Sequence, residues 1–230
     1  MPKNIYDVIV ADCPWSFSDS LKMSDVPRGA DANYSVMTLD KIKSLKVKDL
    51  ASKDGAILAL WVPSSMLSDG LDVMKSWGFE HKQTYIWVKT KTNESLMKLV
   101  VNDVIKNFNL SGLKKASKNW WTSLKFKFDD VLSFGMGRLF RQTHEICLIG
   151  INNKGIYKKL KNKSQRSVCI AENIKHSKKP ESLQDSLDVM FPDSKKIELF
   201  ARRSRSNWTC IGNEVCDKED IAESIEKLLV

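Results

Sequence analysis

The sequence lacks an apolar run long enough to cross a bilayer. The longest beside an expected strand, Ala56 to Val62, falls far short of the ~18 residues a membrane helix requires. A basic-then-apolar leader is also missing, because Asp7 and Asp12 break up the only candidate. These two absences lead to the expectation of a soluble, cytoplasmic protein. Cysteine is sparse: Cys13, Cys147, Cys169, Cys210 and Cys216 include no CxxC pair, and their odd number argues against a disulfide framework. The three histidines have no metal-ligand spacing to a cysteine or to one another, so no metal is expected. Internal repeats and low-complexity tracts do not occur.

A chain of 230 residues can bury a full core and is most simply one domain. Its net charge is +9 and unevenly spread: residues 154–205 hold 14 Lys or Arg against 6 Asp or Glu. Such a block favours a polyanionic partner, nucleic acid above all. A solvated basic face is the bland alternative.

Asp12-Cys13-Pro14-Trp15 is the most informative local feature. Tyr6 to Ala11 reads as a buried strand, and it ends abruptly in an acid, an X-Pro step and a large aromatic. Proline fixes its own φ and restricts Cys13 to an extended conformation, which keeps the acid, the backbone carbonyls and the ring in fixed relation. That arrangement suits a flat base bearing an exocyclic amine. The carboxylate accepts one N–H, a backbone carbonyl accepts the other, and the indole stacks on the ring. The alternative is a strand, a proline turn and a core tryptophan.

Further along, Met37 to Leu50 carries apolar residues at helical spacing, with Thr38 as a cap. Gly55 opens a second buried strand, Ala56 to Val62. Pro63 starts a helix that ends before Gly78, and a third strand runs from about Phe79 to Val88. Strand, helix, strand in short succession points to a parallel sheet with crossover helices. Residues 91–134 interrupt the rhythm as a Lys-rich insertion. The pattern resumes with a strand at Glu145 to Ile151, a helix at Pro180 to Met190, and strands at Ile197 to Phe200 and Trp208 to Ile211. A closing amphipathic helix carries Ile221, Ile225, Leu228 and Leu229. The expected fold is α/β: a Rossmann-like, doubly wound mixed sheet with helices on both faces, one domain over 1–230 with an insertion at about 91–134. Ligands in such sheets bind at the carboxyl ends of the strands. Asp12, Pro63, Lys89, Arg202 and Asn213-Glu214 follow expected strands directly and should therefore share one rim.

Five blocks resemble one family: ADCPW (11–15), RGADANYSVMTLDKIKSL (28–45), LWV…WGF…IWVKT (60–90), THEICLIG (143–150), and SKKPES with IELFARRSRSNWTCIGNE (177–182 and 197–214). They are similar to the MT-A70-like adenine-N6 methyltransferases, which include the eukaryotic mRNA adenosine methyltransferases and their bacterial and phage relatives. The second block looks more like the bacterial and phage branch. The resemblance implies a Rossmann-like enzyme that uses S-adenosylmethionine, has its catalytic motif ahead of its cofactor motif, and works in the cytoplasm of a bacterial or phage-infected cell. The family usually has Asp-Pro-Pro-Trp, and here Cys13 replaces the first proline. That position should act through its carbonyl, with the thiol a bystander.

By the resemblance, Asp12, Cys13, Pro14 and Trp15 form the catalytic motif, and Asp12 also borders the cofactor. Lys179 matches the lysine that pairs with the cofactor's carboxylate, although Lys178 beside it leaves the register open. Glu198, Phe200 and Arg202 lie in a block like the family's ELFxR, whose arginine contacts the nucleoside. Asn213 and Glu214 can take the ribose hydroxyls. Tyr34 matches an aromatic that lines the substrate pocket, unless it is merely edge-packed, and Arg28 is a candidate phosphate or base contact. Glu145 matches a position on the substrate side and reads equally as a strand-end acid.

In the insertion, Lys114, Lys115, Lys118, Lys125 and Lys127 with Trp120 and Trp121 look like a strand-tracking surface with stacking platforms. Two alternatives are a homo- or heterodimer interface and a local cover for the core. The expected activity is methylation of the N6 amine of adenine in DNA. The rivals are an RNA adenosine substrate and a non-catalytic nucleic-acid-binding subunit of a heteromeric methyltransferase. Retention of Asp12, Lys179, Arg202 and Asn213 favours catalysis. A small-molecule or protein substrate is disfavoured by the basic block.

Overall fold

Short apolar, β-branched runs bounded by polar turns assemble into a seven-stranded sheet in this computed structural model. It describes residues 5–16, 36–95, 97–98, 128–135, 137, 139–174, 178–215 and 219–230. The strands are β1 (Val8–Ala11), β2 (Ile57–Val62), β3 (Glu80–Thr90), β4 (His144–Ile151), β5 (Val168–Glu172), β6 (Lys196–Leu199) and β7 (Trp208–Ile211). Their order is β5-β3-β4-β2-β1-β6-β7. β1 pairs in parallel with β2 and β6, β6 pairs in parallel with β7, and β4 runs antiparallel to β2. Every residue of β1 and β2 is buried, as expected of strands covered on both faces. The mixed α/β sheet is the one the sequence pattern leads to.

The helices are α1 (Leu39–Ser44), α2 (Val47–Leu50), α3 (Leu67–Ser76), α4 (Phe128–Val131), α5 (Ile156–Lys159), α6 (Ser182–Met190) and α7 (Ile221–Leu229). The single helix expected over 37–50 is two, because Leu45 is extended, with ψ 136°. Leu45 and Val47 are both buried, yet residues two apart cannot share one face of a helix; the break lets both reach the core. Thr38 does cap α1, its hydroxyl accepting the Lys41 N–H at 3.4 Å. After Pro63 the chain makes a short 3₁₀ turn, Ser64–Met66, before α3 begins. β5, α4 and α5 were not expected. No helix among the described residues is long and apolar enough to cross a membrane.

The chain forms two compact units. The first comprises Met1–Ile86, Ile146–Ser167 and Ser182–Val230; the second comprises Trp87–Glu145 and Val168–Glu181. The second contains the segment expected as an insertion, most of which lies outside the described residues. In the first unit a continuous core joins Ile9, Ala11, Leu58, Leu60, Ile197 and Leu199 of the sheet to Ile42, Leu50, Val73, Met74, Ile221 and Ile225 of the helices. Trp77 is locked into it by its indole N–H, which donates to the Ile42 carbonyl at 3.0 Å. Gly70 allows α3 to approach β2 closely: a Cβ there would come within 2.6 Å of Val62.

Candidate functional site

In the first unit, Ala11, Leu199 and Ile211 lie in register across β1, β6 and β7. The next residue of each strand, Asp12, Phe200 and Gly212, therefore leaves the sheet at the same end. Phe200 adopts a left-handed backbone, φ 61°, which is uncommon for a bulky side chain and concentrates at functional sites. The bend turns the chain back so that the Ala201 N–H donates to the Ile211 carbonyl at 2.9 Å. Gly212 packs against this bend, where an added Cβ would meet the Ala201 carbonyl at 2.4 Å; only glycine fits. Beyond it, Arg202 Nε lies 3.8 Å from Glu214 Oε1, with both side chains partly exposed, and Asn213 is exposed beside Glu214.

Glu198 stands one residue back in β6. Gln184 of α6, buried at 4% exposure, donates its Nε2 to Glu198 Oε1 at 3.2 Å. Burial pushes the Glu198 carboxyl above its ordinary pKa; the Gln184 hydrogen bond opposes this, and the charge of Asp12 adds to the rise. Asp12 and Glu198 are thus electrostatic neighbours, two acids from adjacent strands, and the charge of Asp12 disfavours ionisation of Glu198. A cation placed beside them would favour the ionised form of Glu198. Gln184 Oε1 has no hydrogen-bond partner among the described residues.

The Asp12-Cys13-Pro14-Trp15 turn is held by its own backbone and by the chain that follows. Trp15 N–H donates to the Cys13 carbonyl at 2.9 Å, and Met37 N–H donates to the Pro14 carbonyl at 2.8 Å. The Cys13 side chain is buried, and burial, then Asp12, push its thiol well above the usual range. The thiol is therefore protonated at neutral pH and unsuited to nucleophilic attack. Of the two readings of Trp15, the structure fits the core tryptophan. Its ring is 4% exposed, it belongs to the core, and its Nε1 donates to the Trp61 carbonyl at 3.0 Å. In this conformation it offers no free face for a base to stack on; it anchors the turn to β2.

In the second unit, Glu145 bridges two lysines. Lys89 Nζ lies 2.5 Å from Oε1 and Lys179 Nζ 3.1 Å from Oε2, and all three side chains are at most 25% exposed. Burial pushes the Glu145 carboxyl up, but Lys179 and then Lys89 outweigh it and hold the pKa below its ordinary value. Lys89 sits inside β3, which runs to Thr90 rather than Val88. Of the two adjacent lysines, Lys179 is half-buried in this cluster and Lys178 is exposed. Arg28, Tyr34, Trp120, Trp121 and the insertion lysines Lys114, Lys115, Lys118, Lys125 and Lys127 lie outside the described residues.

Two contributors escaped the sequence reading. Gln184 reads as one more polar residue on an amphipathic helix; its burial between Leu183 and Leu187 is the only hint. Arg205 clamps the loop after Arg202 to α6 through Asp185, at 2.6 Å, and Asp188, at 2.8 Å. Asp185 and Asp188 stand three apart on one helix face, a spacing that could have suggested a basic partner.

The MT-A70 family model matches residues 6–111 and 100–214 of this sequence. A Drosophila melanogaster protein named N(6)-adenosine-methyltransferase MT-A70-like protein is 24% identical over 212 residues, 91% of this chain and 27% of that protein. The human N(6)-adenosine-methyltransferase catalytic subunit METTL3 is 23% identical over 214 residues, 91% of this chain and 28% of its own length. The chain thus spans about a quarter of the length of these relatives. The type II methyltransferase M.MunI of a Mycoplasma species is 24% identical over 234 residues, 95% of this chain and 82% of that protein.

Proposed function

This chain belongs to the MT-A70 family, and from that membership we propose that it transfers a methyl group from S-adenosylmethionine to the N6 amine of adenine in DNA. The observation that carries the reading is the pair of neighbouring acids, Asp12 and Glu198, at the lip of parallel strands β1 and β6.

S-adenosylmethionine supplies a methyl group on a positively charged sulfur, and it also bears an ammonium, a carboxylate and a ribose diol. The donor set of this chain fits those groups. Asp12 and Glu198 would face the cationic portion. Lys179 would pair with the carboxylate as a point charge, already braced by Glu145. Arg202, Asn213 and Glu214, presented by the bend at Phe200, would hold the nucleoside.

Toward adenine, the residues of the turn act by placement. The amine is a poor nucleophile because its lone pair is delocalised into the ring. Asp12 and the second lone pair of the Cys13 carbonyl, whose first accepts the Trp15 N–H, offer two acceptors, which would orient both N–H bonds and favour pyramidalisation. Fixing the acceptors in advance lowers the barrier without reorganisation at the moment of reaction. The buried, protonated Cys13 thiol has no part as a nucleophile in this scheme. A duplex target must first be flipped out, at a cost on the order of a few kcal/mol.

DNA is favoured by the 28–45 block, which resembles the bacterial and phage branch, and by a likeness running through 82% of a protein named as a type II methyltransferase rather than as an adenosine methyltransferase. An RNA substrate is the second reading, favoured by the relatives named for N(6)-adenosine methylation. Purified chain, labelled S-adenosylmethionine and matched single-stranded DNA, duplex DNA and RNA, followed by nucleoside mass spectrometry, separate the two. The expected product is N6-methyladenine in DNA. Label confined to RNA would transfer the reading to that polymer, and no methylated adenine in either would refute it.

A further inference from the structure

Helix α6 meets strand β6 through two polar pairs set at matching intervals. Gln184 and Asp188 are four apart and share one face of the helix. Glu198 and Lys196 are two apart and share one face of the strand. Gln184 Nε2 donates to Glu198 Oε1 at 3.2 Å, and Lys196 Nζ lies 3.4 Å from Asp188 Oδ1. Asp188 gathers two further donors, the Arg205 guanidinium at 2.8 Å and the Trp208 indole N–H at 3.0 Å. The helix is thereby pinned to β6, to β7 and to the loop between them. That register delivers the Gln184 amide to the Glu198 carboxylate.

Gln184 is an odd residue for its surroundings. Its neighbours on α6, Leu183 and Leu187, are each 2% exposed. Its own Oε1 is buried and has no hydrogen-bond partner among the described residues. A buried polar atom left unpaired costs stability, and an apolar side chain of the same length would avoid that cost. The use of an amide here lies in its N–H, and that donor serves Glu198.

The charges around Glu198 say what the donor is for. Burial and Asp12, at the end of β1, disfavour the ionised carboxylate, while Gln184 and Arg205 favour it. Arg205 also bonds Asp185 and Asp188 of α6, and Lys196 pairs with Asp188. The nearby cations are thus shared with the acids of the helix, and the amide bonds Glu198 directly. Resting on the functional reading above, we propose that Gln184 is a positioning residue, whose amide orients the Glu198 carboxylate and holds it in the charged form that faces the cationic portion of S-adenosylmethionine. Without the donor, Glu198 takes up its proton at higher pH, and a protonated Glu198 offers the cofactor no charge.

Calorimetric titration with S-adenosylmethionine, from mild acid to the alkaline side of neutrality, tests this on the unsubstituted chain, Gln184→Met, Glu198→Gln and the double variant. Affinity of the unsubstituted chain should fall as pH drops through the mildly acid range. Gln184→Met should bind about tenfold more weakly in mild acid, as loss of a hydrogen bond to a charged group does. The loss should shrink to within about threefold at alkaline pH, where Glu198 ionises without help. Glu198→Gln should flatten the acid limb, and adding Gln184→Met should then change affinity by less than about twofold, because its effect runs through the carboxylate. An unchanged pH profile in Gln184→Met would overturn the positioning role and leave the functional reading intact. So would a loss of affinity that is the same at every pH, or the same with and without the Glu198 carboxyl. Loss of the folded state in both Gln184→Met and Gln184→Leu, seen by circular dichroism, would make the residue structural and overturn the inference as well. Failure of the unsubstituted chain to bind S-adenosylmethionine would overturn the functional reading and this inference with it.

Discussion

Trp15 donates its indole N–H to the main-chain carbonyl of Trp61 at 3.0 Å. The aromatic of the Asp-Cys-Pro-Trp turn is thereby fastened to the central strand β2, and the turn's position follows from the core. Removing the ring should therefore act first on folding. Trp15→Ala is expected to cost about 3–5 kcal/mol in urea unfolding, as large-to-small core changes do. Trp15→Phe, which keeps a ring but no donor, should cost about 1–2 kcal/mol. Unchanged stability in the alanine variant would show that the ring is not part of the core.

Glu198 should trade stability for binding. Its folded-state pKa lies above the ordinary carboxylate value, from burial first and Asp12 second. A raised acid binds its proton more tightly in the folded state, so ionising it weakens folding as pH rises from the usual carboxylate range through the raised value. Glu198→Gln should therefore raise the melting temperature at neutral pH, with the gap closing on acidification. The same change should weaken S-adenosylmethionine binding about tenfold by calorimetry, as loss of a charge-assisted contact does. A variant that melts lower at neutral pH than the unsubstituted chain would contradict this account.

The sign is opposite at Glu145. Lys179 and Lys89 hold its folded pKa below the ordinary value despite burial. Its contribution is present above the unfolded carboxylate pKa and is lost as pH falls through the lowered folded value. Glu145→Gln should cost about 1–3 kcal/mol at neutral pH, with the difference from the unsubstituted chain vanishing in acid. Because Lys179 loses its brace, cofactor affinity should fall with it. Lys179→Ala should weaken cofactor binding, whereas Lys178→Ala, which removes an exposed side chain, should not. Equal effects of the two lysine substitutions would undo the assignment.

Much of the fold was legible because its strands are short apolar runs with abrupt polar ends. Val8 to Ala11, Ile57 to Val62 and Trp208 to Ile211 could be read almost to the residue. What was not legible depends on partners distant in sequence. Leu45 breaks a helix whose periodicity looks unbroken, since the need to bury both Leu45 and Val47 arises only in the folded core. β5 escaped because Val168 and Ile170 are exposed, so its alternation has no buried apolar face. At the site, Asp12, Arg202, Asn213 and Glu214 were visible as residues that follow strands. Gln184 was not, because its partner Glu198 lies on another element. The burial of Trp15 was open in the sequence, where a core tryptophan and a stacking platform have the same one-letter code.

Asp12→Ala carries the central claim. Methyl incorporation into DNA should fall by about 10²-fold or more, as removal of a fixed group acting on the transition state does. Calorimetry should find the affinity for S-adenosylmethionine within about tenfold of the unsubstituted chain, since other residues still hold the cofactor. A variant that still methylates adenine at a comparable rate would contradict the account.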